Sequence, residues 1–303
     1  EPARKVMPTV HPAFVLRAQR WAHVFRNDLH KAGQWFRGET AWVPPAVLYN
    51  PPLGDLQAFF ARHADEALSF DLETDGIEPL TAKLRCIGIG TETEVAVVGI
   101  LGQDGYTKFY PPDEERRIIN LLKQILTDKS IPKIAHNGKT YDFAVLRSQW
   151  GIETEPILDT ILLHKSIESE LPHSLAYVAS LYTTAESWKS KNGRKLSIEA
   201  ESDKELAIYC SNDVAITARV FPKLAEQVTL RNQVGVWQLD QKVQRICAYM
   251  HAVGMFVNQI IRLSEVKRLF ALRYKALNEV RDRLGLKEFN PGSVFQLRAV
   301  LVD

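Results

Sequence analysis

Cysteine is scarce in this chain. Only three occur in 303 residues, at 86, 210 and 247, and no two form a CxxC pair. That excludes a zinc ribbon and a disulfide framework, and makes a reducing, cytoplasmic setting the expectation. No apolar run approaches the roughly 20 residues needed to cross a bilayer, so no membrane partner is expected. The opening "EPARKVMPTVHPAF" has no apolar core segment, which argues against a secretory signal there. It also lacks an initiator Met, as a fragment or processed chain would. There is no strong excess of charge: the formal net charge is +2, which permits nucleic-acid binding without demanding it. No internal repeat or low-complexity tract is apparent. What remains is an ordinary globular composition, 46% hydrophobic and 24% charged, long enough for about two domains.

Hydrophobic periodicity divides the chain. Residues 1–40 read as a strand ("KVMPTVHP") and then a helix ("AFVLRAQRWAHVFRNDLHKAGQWF"). Residues 41–54 hold Pro44, Pro45, Pro51 and Pro52 and read as a stiff linker. From 55 to 230 strands and helices alternate. "DLQAFFARHA" is a helix, "EALSFDLET" a strand, and "KLRCIGIGTETEVAVVGIL" two strands about a turn at 91–94. "DEERRIINLLKQILTD" is an amphipathic helix, "KIAHN" a short strand and "YDFAVLRSQWG" a helix stopped by Gly151. "ILDTILLHKSI" and "HSLAYVASLY" read as two further helices. Such alternation predicts an α/β layer fold. "DKELAIYCSNDVAITARVFPKLAEQ" is one long helix with Pro222 inside it. Residues 231–303 then read as wholly helical.

The stretch "SFDLETDGIEPL", 69–80, carries the sharpest signal. Residues two apart on a strand face the same way, so Asp71 and Glu73 share a face. Two carboxylates aimed at one spot repel unless a positive charge lies between them. Asp142 begins a helix in "AHNGKTYDFAVL". Asp213 lies four residues after Tyr209 in "YCSND", one helix face for both. Four carboxylates suit hard divalent cations, Mg²⁺ or Mn²⁺; no nearby His–Cys set indicates zinc. Two ions about 3.5–4 Å apart can clamp the attacking and leaving oxygens of a phosphoryl transfer.

These residues resemble a known family. "FDLET" resembles the D-x-E motif of the DEDD 3′–5′ exonucleases, "NGKTYD" their second motif, and "YCSND" the third motif in its Tyr variant, DEDDy. Any single motif is weak, but the three fall in order and in suitable elements. "LDTILL" and "HSLAYVASLY" resemble segments that follow the second motif. Downstream, "VGMFVNQ" and "FNPGSVFQLRAVL" resemble the exonuclease-to-polymerase junction of family A DNA polymerases. The Asn137-x₃-Tyr141 spacing and "ASLYTTAESWKS" are similar to phage-type members. The resemblance implies a ribonuclease H-like mixed sheet flanked by helices, followed by a helical segment leading toward a polymerase domain absent from this chain. The expected activity is two-metal-ion proofreading: a monomer, covalently part of a larger polymerase, hydrolyses single-stranded DNA or a frayed primer 3′ end to nucleoside 5′-monophosphates. No polymerase activity is expected of the chain itself. The first 40 residues more faintly resemble the C-terminal end of a uracil-DNA glycosylase, through "HPAFVLR".

The resemblance gives each residue a role. Asp71 bridges two Mg²⁺ or Mn²⁺ ions, Glu73 and Asp213 complete one site, and Asp142 serves the other through water. Tyr209, with Glu73, orients the attacking water. Thr74, Ile77 and Asn137 contact the terminal nucleotide. Apart from the resemblance, the basic run "WKSKNGRKL" suits a grip on the DNA backbone through Lys189, Lys191, Arg194 and Lys195. Each has a plainer alternative. Asp142 can cap a helix and Asp213 can be solvated. Tyr209, Thr74, Ile77 and His136 can serve packing or a turn, Asn137 can cap a turn, the basic run can be a solvated loop, and His11 can be structural. Two rival functions stay open: an RNA-trimming DEDDy exonuclease resembling RNase D, and a nonenzymatic DNA-holding module.

Overall fold

The computed structural model describes residues 6–38, 42–185, 188–191, 194–195 and 202–302. They fall into two compact units, 1–252 and 253–303. The first is built on a six-stranded mixed sheet. Its strands are β1 (Ala46–Tyr49), β2 (Leu68–Thr74), β3 (Leu84–Gly90), β4 (Glu94–Gly99), β5 (Lys133–Ala135) and β6 (Ile157–Asp159), in the spatial order β1-β4-β3-β2-β5-β6. The β2–β3 and β3–β4 pairs are antiparallel; β1–β4, β2–β5 and β5–β6 are parallel.

Helices cover both faces, which is why β4 reads "EVAVVG" with scarcely a polar residue. On one face Phe70, Leu72, Ile87, Ile89 and Val98 pack under α3 (Leu53–Arg62), α4 (Pro112–Thr127) and α5 (Tyr141–Trp150). On the other, Cys86, Val95 and Val97 pack under α6 (Thr160–Ile167), α7 (Leu175–Tyr182) and α8 (Asp203–Leu230). The period of two along β2 sends Phe70 and Leu72 to the first face, and Asp71 and Glu73 to the face crossed by α8.

Contact between α8 and the sheet depends on Gly88, which pairs with Asp71 across β2 and β3. A Cβ there would lie 2.8 Å from Cys210 Sγ and 2.9 Å from Val214 Cγ2, both on α8. The missing side chain lets the helix settle on the strand. The helix continues through Pro222 and ends at Leu230.

Several expectations change. Residues 6–10 form no strand, and the predicted N-terminal helix is split into αN1 (Pro12–Arg17), a 3₁₀ turn (Gln19–Trp21) and αN2 (Ala22–Phe36). The break falls at Ala18, whose φ of −134° and ψ of 72° lie outside the helical region. The proline-rich linker contains β1. Prolines flank this strand without interrupting it, and it sits at the sheet edge, where they are tolerated. "ILDTILLHKSI" is not one helix: its first three residues are β6, and Asp159 then caps α6 by accepting from Ile161 N at 3.0 Å. A strand this short is fixed by its neighbour β5 rather than by its own periodicity.

The compact units divide at Val253 rather than at 231. The reason is α9 (Val234–Val253), which packs on the first unit: Tyr249 stacks edge-on against Phe143 at 5.8 Å, with the Arg147 guanidinium 4.4 Å from its ring centre. The second unit holds α10 (Gln259–Leu284), closed by Gly285 at φ 65°, and α11 (Val294–Val302). Among the described residues, no helix is long and apolar enough to cross a membrane.

Candidate active site

The carboxylates come from three elements that meet at one place. Asp71 and Glu73 project from β2. Asp142 lies in the first turn of α5, where its Oδ1 accepts the Leu72 amide at 3.1 Å, tying the helix start to β2. Tyr209 and Asp213 lie one turn apart on α8. Glu73, Asp142, Tyr209 and Asp213 are buried and Asp71 is half-buried. A cleft of about 660 Å³ opens beside them, lined by Asp71, Tyr209 and Asp213 with His136, Asn137 and Lys189; Glu73 and Asp142 lie outside its lining.

Crowded carboxylates in a dry setting resist ionisation. Burial, then the charges of Asp213 and Asp142, pushes the Asp71 carboxyl well up. Burial and the neighbouring Asp71 do the same to Glu73. Burial lifts Asp142 from 3.8 to about 7, opposed by the backbone N–H groups that its carboxylate accepts. Among the described residues, one cation reaches the cluster. Lys189 Nζ donates to Asp213 Oδ2 and, at 2.8 Å, to Tyr209 Oη. Trp188 Nε1 donates to the other Asp213 oxygen. Both Asp213 oxygens are thus taken by an ammonium and an indole. The ammonium outweighs its own burial and is held protonated by Asp213 and Tyr209.

The donor set fits divalent cations. Asp71, Glu73 and Cys210 bring ligand atoms within 4.8 Å of one another. Carboxylate oxygens dominate this cluster, as hard cations require. The thiol was missed in the sequence. Cys210 lies beneath the strand and donates to the Asp71 carbonyl at 3.7 Å, with Cys86 near enough to push its thiol pKa up although 124 positions separate the two cysteines.

The expected substrate residues are placed unevenly. Asn137 lines the cleft with φ at 67°, and its carbonyl accepts from Thr140 N and Tyr141 N, so it also forms the turn into α5. Thr74 is engaged locally, its hydroxyl 2.6 Å from Tyr141 Oη and 2.8 Å from the Gly76 carbonyl. Ile77 is 93% exposed and is not part of the cleft wall. Lys189 is in the cleft, on the carboxylates. The side chains of Lys191, Arg194 and Lys195 lie outside the described residues. His136 bonds Thr160 Oγ1 at 2.9 Å, and burial lowers its pKa to about 3, so it is neutral at ordinary pH.

Trp188 and Asp159 were not singled out from the sequence. Asp159 is fully buried and accepts from the backbone of Asn137 at 2.9 Å and Lys139 at 3.1 Å, fixing the turn before α5. Its sequence signals are its place in "LDTILL" and an Asp just ahead of the apolar run "TILL", the pattern of a helix cap.

A six-stranded mixed sheet flanked by helices, with carboxylates from three elements gathered beside one cleft, is a ribonuclease H-like fold. A family model described as 3′–5′ exonuclease, of the DNA polymerase A type, matches residues 53–229, more than half of the chain, and the chain belongs to that family. It is 24% identical over 189 residues to a DNA polymerase of Bacillus phage SP01, covering 53% of this chain and 20% of that protein. It is 26% identical over 255 residues to DNA polymerase I of Synechocystis sp., covering 79% of this chain and 24% of that protein. The chain therefore spans about a fifth to a quarter of the length of these relatives. Among solved structures it is similar to Brucella melitensis NrnC (TM-score 0.52, 22% identity, 70% of this chain and 95% of that one). It is also similar to Escherichia coli RNase D (0.51, 18%, 67% and 50%) and the POL domain of Pol1 from M. smegmatis (0.57, 19%, 84% and 40%). The family match begins at residue 53, so the glycosylase likeness of the first 40 residues gains no support. His11 instead caps αN1, its Nδ1 accepting from Ala13 N at 3.1 Å.

Proposed function

We propose that this domain hydrolyses the 3′-terminal phosphodiester of single-stranded or frayed DNA, as the proofreading part of a larger family A polymerase in the cytoplasm. The observation that carries the reading is the meeting of Asp71, Tyr209 and Asp213 in one cleft, with Glu73 against Asp71 and Asp142 tied to β2 behind it, within a 3′–5′ exonuclease family match. Asp71, Glu73, Asp142 and Asp213 would hold two Mg²⁺ or Mn²⁺ ions. Such ions, when bound, lower the pKa of water and stabilise charge on the leaving oxygen. The protein's own residues do the rest. Tyr209 Oη, fixed on α8 one turn before Asp213, orients the attacking water with Glu73. The apolar cleft wall, Ile161 and Leu175, packs against the terminal nucleotide, and Asn137 contacts it from the turn before α5. Attack breaks the P–O3′ bond of the penultimate nucleotide and releases a nucleoside 5′-monophosphate.

RNA trimming is the second reading, because E. coli RNase D is named an exoribonuclease and Brucella NrnC is described bound to pGG. Those likenesses are of fold, whereas the family match and both sequence relatives lie with DNA polymerases, so DNA is favoured. End-labelled DNA and RNA strands of one sequence, digested side by side with Mg²⁺ or Mn²⁺ and with chelator, test both readings. Faster loss of DNA, abolished by chelator, supports proofreading; faster loss of RNA overturns it. Folded protein that binds the strands and releases no nucleotide in Mn²⁺ marks a nonenzymatic module.

A further inference from the structure

A second concave site lies at the other end of α7. This helix begins at the active cleft, which Ser174, Leu175 and Ala176 help to line. Its far end, at Leu181 and Tyr182, floors a groove of about 410 Å³ between αN2 and α8. The groove is walled by His30 and Lys31 from αN2 and by Arg219 and Lys223 from α8, with Asn27 and Gln34 beside them. Among the described residues, no carboxylate lines it.

The walls are fastened to the floor. Asn27 Nδ2 donates to the Leu181 carbonyl at 2.5 Å, and Lys223 Nζ donates to the Tyr182 carbonyl at 2.5 Å. Among the described residues, Lys31 and Arg219 make no hydrogen bond or ion pair. Burial and the neighbouring Lys223 lower Lys31 to about 8, opposed by Asp28, a carboxylate that also accepts from Thr9 Oγ1 at 2.6 Å. Lys223 is lowered by burial and by Arg219, with Glu92 offsetting. Like charges held this close are relieved by an anion between them.

Geometry relates the groove to the cleft. Eight residues of α7 span about 12 Å at the α-helical rise. On α8, Arg219 and Lys223 lie six and ten residues beyond Asp213, about 9 and 15 Å along the axis. At roughly 3.4 Å per stacked nucleotide, that is a path of about three or four nucleotides.

We propose that this groove binds the phosphodiester backbone of the substrate strand, about three or four nucleotides from its 3′ end, through Lys31, Arg219 and Lys223. The proposal rests on the reading that a 3′ end occupies the cleft. It takes backbone charge alone, so DNA and RNA strands should be held alike.

The test is binding of fluorescent oligothymidylates, dT2 and dT8, to the full chain in chelator, where no hydrolysis is needed. Lys31→Ala with Arg219→Ala should weaken dT8 about tenfold and reduce the slope of log affinity against log salt by about 1.4, the share of two phosphates on a single strand. Binding of dT2 should be unchanged, rU8 should weaken like dT8, and Lys31→Arg with Arg219→Lys should restore dT8. Arg219→Gln alone, if the pair misfolds, should reduce the slope by about 0.7. Unchanged dT8 affinity, equal weakening of dT2 and dT8, or an unaltered salt slope overturns the proposal. Because binding is read without cleavage, an inactive or RNA-preferring enzyme would sink the proofreading reading while leaving this measurement intact.

Discussion

Asp142→Asn separates what the carboxylate costs the fold from what it gives the chemistry. Asp142 is 4% exposed, and its Oδ1 accepts the Leu72 amide. Its pKa rises from 3.8 to about 7, with burial the largest cause. The native carboxyl therefore keeps a proton that the unfolded chain has already released. Metal-free protein should lose stability as pH rises through that window, from about 4 to about 7. A shift of this size corresponds to about 4 kcal/mol above pH 7. Asn retains the acceptor for Leu72 and never ionises, but its NH₂ group, buried without a partner, costs about 1–3 kcal/mol. In chelator at pH 8 the variant should be about 1–3 kcal/mol more stable than wild type, which is roughly 2–12 °C in Tm for a domain of this size. At pH 4.5 it should be equally or less stable, since the wild-type carboxyl is then neutral. Thermal melts in chelator from pH 4.5 to 8 measure the difference. A Tm gap that does not vary with pH refutes the argument, because it would mean that Asp142 is not linked to a proton. With Mn²⁺ the same variant should lose most of its cleavage of single-stranded DNA.

Three further outcomes follow from the same geometry. Lys189→Met removes the ammonium on Asp213 and Tyr209, leaving a buried carboxylate oxygen without its donor. Metal-free protein should lose about 1–3 kcal/mol, and Mn²⁺ should recover most of it, as thermal melts with and without Mn²⁺ would reveal. Tyr209→Phe keeps the ring and deletes the hydroxyl; single-turnover hydrolysis should slow about 10²–10³-fold while Mn²⁺ binding by calorimetry stays near wild type. Wild-type cleavage by that variant would make Tyr209 a packing residue. Gly88→Ala places a methyl 2.8 Å from Cys210 Sγ, pushing α8 away from β3. Urea titration should register a loss of about 1–3 kcal/mol, and activity should fall because the displaced helix carries Tyr209 and Asp213.

Local patterns in the sequence determined a good deal. Alternation in "SFDLET" assigned Asp71 and Glu73 to one face, because side chains on a strand repeat every two residues. The four-residue interval put Tyr209 and Asp213 on one side of α8, and Lys189 touches both. Helices α3, α4, α5 and α7 were legible for the same reason: their periodicity is local. Only the tertiary structure decided what joins across distance. The carboxylate of Asp142 meets Leu72 across 70 positions, and the Cys210 thiol meets the Asp71 carbonyl across 139. Strand β6 exists because β5 lies beside it, and β1 because an edge tolerates flanking prolines. Lys189 was expected to reach outward to a DNA backbone, yet burial of Asp213 draws its ammonium onto the carboxylate, since a buried charge needs a partner. Such pairings depend on which surfaces the fold presses together, and no window of sequence contains both partners.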